Sequence, residues 1–228
     1  MNLTLPLAGE TLELLPDRAL FWPRTHTLIV ADVHLGKAAA FRRLGVAVPS
    51  GATQHDLDRL DVLLSTTDAA RLLVLGDLFH TAPTPGEAAV AGFAALRTRH
   101  AQRQFTVVAG NHDRAWRRLP SEWQLQWLSA ALHEPPFVFQ HEPVTDARGY
   151  ALGGHIHPCV RLRGGGDSAR LPVFWLGAAV GVLPSFGSFT GGYTVPVQFY
   201  ADLLRLMAEK AFVRERCTVL PMQSRSLL

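Results

Sequence analysis

Thr27-Leu-Ile-Val-Ala-Asp-Val-His34 opens with five apolar or β-branched residues, stops at a carboxylate, and places an imidazole two positions further on. The same event recurs where Arg71-Leu-Leu-Val-Leu75 meets Gly76-Asp77 and where Phe105-Thr-Val-Val-Ala109 meets Gly110-Asn-His-Asp113. It recurs again where Phe137-Val-Phe-Gln140 meets His141 and where Tyr150-Ala-Leu152 meets Gly153-Gly-His155. Runs this short and this uniformly apolar read as strands buried on both faces. Open α/β sheets gather ligands at the carboxyl ends of their strands, so five such ends are expected to converge on one site.

Outward from these runs, helical patterns alternate with the strands. Gln54 to Leu64 sets Leu57, Leu60 and Leu64 on one face. Thr84-Pro-Gly-Glu87 has the form of a capping box with proline at the first helical position. The helix it opens would carry Val90, Phe93 and Leu96 or Arg97, ending near His100. After His157 the pattern turns to a hairpin, Cys159 to Leu162 and Leu171 to Leu176 around Gly164-Gly-Gly-Asp167, then a Pro- and Gly-rich stretch from Leu183 to Gly192. Ala201 to Phe212 has the spacing of a terminal amphipathic helix. No repeat or linker interrupts the chain, and one domain over residues 1–228 is the expectation.

Composition limits what the motifs can mean. Apolar residues are 48% of the 228 and charged residues 18%, enough to bury a core and too apolar for disorder. The net charge of +3 is compatible with a polyanionic partner and does not demonstrate one. Cys159 and Cys217 cannot make a disulfide framework, the N-terminus lacks the layout of a secretion signal, and no apolar run is long enough to span a bilayer. A cytoplasmic protein without a membrane partner is the expectation.

The strand ends carry chemistry in a definite order. In Asp32-Val-His34, residues i and i+2 of an extended segment share a face, so both can reach one ion. Gly76-Asp77 supplies a carboxylate beside a residue that lets the backbone turn closely. Gly110-Asn-His-Asp113 places an amide oxygen, an imidazole and a carboxylate in succession. His141 stands alone, and Gly154-His-Ile-His157 carries two imidazoles around an apolar residue. Each element singly has an ordinary structural explanation; all five in this order, each at a strand end, do not.

The five blocks resemble the calcineurin-like metallophosphoesterase superfamily from about Leu28 to Pro158. A closer likeness, to the bacterial ligase-associated DNA damage response endonucleases of the PdeM type, rests on five segments. They are Ala31-Asp-Val-His-Leu-Gly-Lys37, Gly76-Asp-Leu-Phe-His80, His141-Glu-Pro143, Gly153-Gly-His-Ile-His-Pro158 and Leu183-Pro-Ser-Phe-Gly-Ser-Phe-Thr-Gly-Gly192. The tail from Tyr193 departs from the short strand ending of that family. The resemblance implies an α/β fold of two packed mixed β-sheets flanked by helices, a four-layer αββα sandwich. It implies a first metal held by Asp32, His34 and His157, a second by Asn111, His141 and His155, and Asp77 between them. Imidazole, carboxylate and amide ligands without thiolate suit Mn²⁺, Fe or Zn²⁺, and the resemblance favours Mn²⁺. By the same likeness His112 would act on the leaving oxygen with Asp113 fixing its tautomer, and His80 would position the diester. Arg117 and Arg118 are candidates for phosphate contacts.

The implied function is a metal-dependent phosphodiesterase or endonuclease acting on DNA in repair, in association with a ligase and a helicase. Two other functions share the motifs: hydrolysis of a small phosphoester (a cyclic nucleotide, dinucleoside polyphosphate or lipid-linked nucleotide), and a scaffold that has lost its metals. Intact Asp77, His112 and the Gly154-His-Ile-His157 pair speak against the scaffold.

Overall fold

A computed structural model describes residues 2–115, 119–164, 167–195 and 218–221. Its first sheet runs in sequence order through β1 (Leu3–Leu7), β2 (Glu10–Leu15), β3 (Ala19–Trp22), β4 (Thr27–Val30), β5 (Arg71–Leu75), β6 (Gln104–Val108) and β7 (Leu125–Leu128). β1 to β4 form an antiparallel meander. From β4 onward neighbours are parallel, which requires crossovers between strands. Helices α1 (Lys37–Arg43) and α2 (Ala52–Thr66) lie in the crossover from β4 to β5, and α3 (Ala88–Arg99) in that from β5 to β6.

The second sheet holds β8 (Leu132–Glu134), β9 (Phe137–Phe139), β10 (Tyr150–Gly153), β11 (Pro158–Gly164), β12 (Asp167–Leu176), β13 (Val180–Val182), β14 (Tyr193–Thr194) and β15 (Thr218–Pro221). The spatial order is β14-β11-β12-β13-β10-β9-β8, with β15 paired to β12. Both sheets mix parallel and antiparallel neighbours.

Alternation along β4 explains the layering. Leu28 and Val30 pack with Leu57, Leu60, Phe93 and Leu96 of the helices. Ile29 and Ala31 face the other way, into a core shared with Phe137, Phe139, Leu152 and Phe174 of the second sheet. Trp22 meets Phe137 edge-on at 5.1 Å between ring centres, an arrangement stabilising by ~0.5–1.5 kcal/mol beyond its buried area. A strand covered on both faces must be apolar throughout, and all four residues of β4 are buried. Among the described residues the helices lie on the outer face of the first sheet. The outer face of the second carries a smaller cluster of Val160, Val173, Trp175, Val182 and Val195. The helix expected over Ala201 to Phe212 falls outside the described residues.

The capping box expected at Thr84 does not form. Thr84-Pro-Gly-Glu87 closes a turn, Glu87 N–H to Thr84 C=O at 3.1 Å, with Gly86 at φ 88. That left-handed glycine cannot continue a helix, so α3 starts at Ala88, with Glu87 as its N-cap and without a side-chain cap bond.

Candidate metal centre

The loops leaving β4 and β5 stay zipped by main-chain bonds beyond the ends of the strands. Asp32 N–H donates to Gly76 C=O (3.1 Å), His34 N–H to Asp77 C=O (2.8 Å), Leu35 N–H to Leu78 C=O (2.9 Å) and His80 N–H to Leu35 C=O (3.0 Å). Asp32, His34 and Asp77 are thereby set side by side. The Asp32-Val-His34 segment is not the extended strand expected from its pattern: Asp32 and His34 have φ of 53° and 50°. Asp77 (55°), His155 (67°) and His157 (52°) share this left-handed conformation. Non-glycine residues there cost of order 1–3 kcal/mol each and cluster at functional sites. Glycines make room for the turns. A methyl group at Gly76 would overlap the His141 ring, and one at Gly154 would overlap the Asp32 carboxylate.

The side chains then converge. His157 Nε2 lies 3.3 Å from Asp32 Oδ1 and 3.4 Å from His34 Nε2. His155 Nδ1 lies 3.1 Å from His141 Nε2 and 3.3 Å from the Asn111 amide, whose oxygen reaches the same place after a half-turn. Asp77 Oδ2 stands between the two groups, 3.7 Å from both His34 Nε2 and His141 Nε2. Each group draws on both sheets: Asp32, His34 and Asn111 follow strands of the first, and His141, His155 and His157 follow strands of the second.

The donor set fits divalent cations. Asp32 Oδ1 and His34 Nδ1 are buried without a hydrogen-bond partner, a costly state for free polar atoms. His141 Nδ1–H donates to Leu75 C=O at 3.0 Å, which leaves its Nε2 as a bare lone pair. That lone pair faces other acceptor atoms, an arrangement that calls for a proton or a cation between them. Burial, reinforced by Lys37 and the neighbouring imidazoles, holds His34 far below the ordinary histidine range, in the neutral form that can bind a metal. Ligand atoms of Asp32, His34 and His157, and of Asp32, Asp77 and His141, lie within 4.8 Å of one another.

Beside these groups the His112 and His80 rings lie tilted at 33° with centres 4.6 Å apart, and ring nitrogens of His34, His80 and His112 lie within 4.8 Å of one another. His112 N–H donates to Asp77 Oδ1 (2.9 Å) and its Nδ1–H to the His80 carbonyl (2.7 Å), so Nε2 is free. The motif has Asp113 orienting His112, but the structure gives that part to the His80 carbonyl. Asp113 Oδ2 instead accepts the amides of Asp77 (2.7 Å) and Gly110 (2.8 Å). Burial pushes the Asp113 carboxyl up to about 6, against the pull of the Gly110 amide. His80 is pushed down to about 4, by burial first and then by His112 and Lys37.

Arg117 and Arg118 lie outside the described residues. Two residues at the centre carried no role from the sequence. Ser185 Oγ donates to Asp32 C=O at 2.8 Å. Lys37 is half-buried in the field of Asp32 and Asp77, with burial lowering its pKa against them. The signals were their places in two of the segments that carry the family likeness, Ala31-Asp-Val-His-Leu-Gly-Lys37 and the stretch from Leu183 to Gly192.

Imidazoles, carboxylates and an amide gathered at strand ends between two sheets define a metal-dependent phosphoesterase. Residues 25–170 match the calcineurin-like phosphoesterase model, and the chain belongs to that family. No curated protein matches the sequence at a significant level. Among solved structures, a nuclease of Pseudomonas putida is 36% identical with a TM-score of 0.77, over 86% of this chain and 92% of that one. A protein of unknown function from Aquifex aeolicus is 17% identical over 57% of this chain and 78% of that one. Its TM-score of 0.42 is too low to carry an argument. No helix among the described residues is long and apolar enough to cross a membrane.

Proposed function

We propose that this phosphoesterase is a nuclease that hydrolyses phosphodiester bonds of DNA in repair, using two divalent cations, with Mn²⁺ preferred. The observation that carries the two-cation reading is Asp77 Oδ2, equidistant at 3.7 Å from an imidazole of each ligand group. The nuclease reading is supported by the P. putida enzyme, similar over most of both chains.

In this reading Asp32, His34 and His157 hold one cation, Asn111, His141 and His155 the other, and Asp77 serves both. Bound there, the pair supplies an activated water and positive charge for the phosphate oxygens. The chain does the rest. His112, its Nδ1–H held by the His80 carbonyl, presents Nε2 to the leaving oxygen and, when Nε2 also carries a proton, delivers that proton to it. His80, neutral near pH 7, lies against His112 and positions the diester. Its contact with the Phe41 ring, tilted at 44° and 6.0 Å between centres, limits where its ring can go.

The test is turnover of bis-p-nitrophenyl phosphate beside labelled single-stranded, duplex and nicked DNA, with Mn²⁺ present and after chelation. DNA is expected to be cut in the presence of the metal and spared without it. Good turnover of the chromogenic diester with all DNA left intact at low salt would replace this reading with a small-molecule phosphodiesterase.

A further inference from the structure

A cavity of about 150 Å³ lies beside His157, walled by Arg18, Arg170, Ser185, Ser188, Thr190 and His157 itself. It shares two walls with the metal centre: His157, whose Nε2 faces Asp32, and Ser185, whose Oγ bonds the Asp32 carbonyl. Its lining holds two guanidinium groups and no acidic residue among the described ones, while the hydroxyls of Ser185, Ser188 and Thr190 donate elsewhere, to the Asp32 carbonyl, Asp56 Oδ2 and the Gly187 carbonyl.

The two arginines differ from most others in the chain. Arg24, Arg43, Arg71, Arg99 and Arg148 each face a carboxylate within 4 Å. Arg18 and Arg170 have no such partner among the described residues. Their few bonds are to neutral groups that hold them against the wall. Arg18 Nη1 donates to the Gly187 carbonyl at 3.2 Å. Arg170 Nε donates to Cys159 Sγ at 2.9 Å and its Nη2 to the Gly192 carbonyl. A guanidinium has five N–H donors, so each keeps donors for a ligand. Two guanidinium groups with donors to spare in one recess are matched by an oxyanion, and phosphate oxygens suit the guanidinium fork.

We infer that this recess is a second phosphate subsite, in which Arg18 and Arg170 hold the phosphodiester neighbouring the one at the metal centre. The inference rests on the nuclease reading for the identity of its ligand. A strand held at two phosphates is fixed in register against the metals, whereas a small diester touches the centre alone. The recess thus favours a polynucleotide over a small phosphoester by binding, without altering the chemistry at His112. Its position by His157 also sets the path of the strand, out from the first ligand group and past the loop from Leu183 to Gly192.

The test compares thymidine 5′-(p-nitrophenyl phosphate) with and without a 3′-phosphate, and thymidine 3′-(p-nitrophenyl phosphate) with and without a 5′-phosphate, in Mn²⁺-loaded protein. In one of the two pairs the added phosphate is expected to lower KM about 10-fold, the size of one charge-assisted contact. In the Arg18→Ala/Arg170→Ala double variant that ratio is expected to fall to near one, and in the double lysine variant to recover in part. Retention of the ratio in the alanine variant would overturn the subsite. So would an equal rise in KM for all four esters, which would assign the arginines to holding the Gly187 and Gly192 carbonyls. Cleavage of DNA by the wild-type protein is read separately. Discrimination among the esters without DNA cleavage removes the nuclease reading and keeps the subsite, and the converse result removes the subsite alone.

Discussion

Replacing Asp113 by alanine separates two roles for a carboxylate that stands next to the imidazole proposed as proton donor. Its Oδ2 takes the amides of Asp77 and Gly110, both in buried bonds under 2.9 Å. Removing it leaves two buried donors without an acceptor, ~1–3 kcal/mol each and so ~2–6 kcal/mol together. Burial of the charge works in the opposite sense. It holds the carboxyl at about 6 in place of 3.8, a difference that corresponds to ~3 kcal/mol. The net loss at pH 7 is therefore expected to be ~3 kcal/mol or less. Because the folded pKa lies above the unfolded one, the wild-type fold gains stability as pH falls from about 6 toward 4, and Asp113→Ala does not. Urea unfolding of metal-stripped wild type and variant, at pH 7, 6, 5 and 4, should show the gap between them widening by up to ~3 kcal/mol toward acid. Metal loading should weaken in parallel, since Asp77 and Asn111 hang on the two released amides. A variant with wild-type stability and the same pH dependence, but turnover as low as a His112 deletion, would refute this and return Asp113 to orienting His112.

Asp77→Asn keeps an oxygen for the His112 amide and loses the charge between the ligand groups. Most activity and tight metal should be lost, and elemental analysis finding two tightly held metals per chain would contradict that. His112→Ala should cut turnover ~10²–10⁴-fold with metal content unchanged; loss of metal instead would make His112 a ligand. Gly76→Ala meets both the left-handed backbone, ~1–2 kcal/mol, and the His141 ring. Calorimetry should show a lower melting temperature together with weaker Mn²⁺ binding, and an unchanged titration would remove Gly76 from the centre. In metal-free protein the acid limb of stability between pH 6.5 and 4 should be shallower in His80→Asn, since the wild-type imidazole, held down at about 4, resists protonation in the fold and not in the unfolded chain.

Five strands and two helices were legible because burial on both faces leaves uniformly apolar runs, as in Leu72 to Leu75, and one-sided burial leaves the Leu57, Leu60 and Leu64 stripe; the antiparallel pair β11 and β12 was legible as a hairpin. β7 was not, because Leu125-Gln-Trp-Leu128 at the edge of its sheet mixes polar and apolar residues. α1 was hidden by its seven residues and by Gly36, a left-handed N-cap without a side-chain bond. The candidate ligands were legible from residue type and order, while the backbone holding them was not. Aspartate and histidine at Asp32 and His34 do not announce a positive φ. The partner of His112 is a main-chain carbonyl, which every residue carries and no motif records. Arg18 lies fourteen positions before the first motif and reaches the centre only through the turn between β2 and β3.

Ligands divided between the two sheets have a consequence for folding. A cation held, as proposed, by Asp32 and His34 of one layer and His157 of the other would be fully coordinated only when the layers are docked. Its binding free energy would then add to the adhesion of the aromatic interface around Trp22 and Phe137. Chelation should act as a mechanical release as well as a loss of activity, lowering the temperature at which the seam parts and making that temperature depend on free metal concentration. The protein would then carry its own quality control: a chain whose layers have slipped cannot retain the ions, and so cannot cut a phosphodiester.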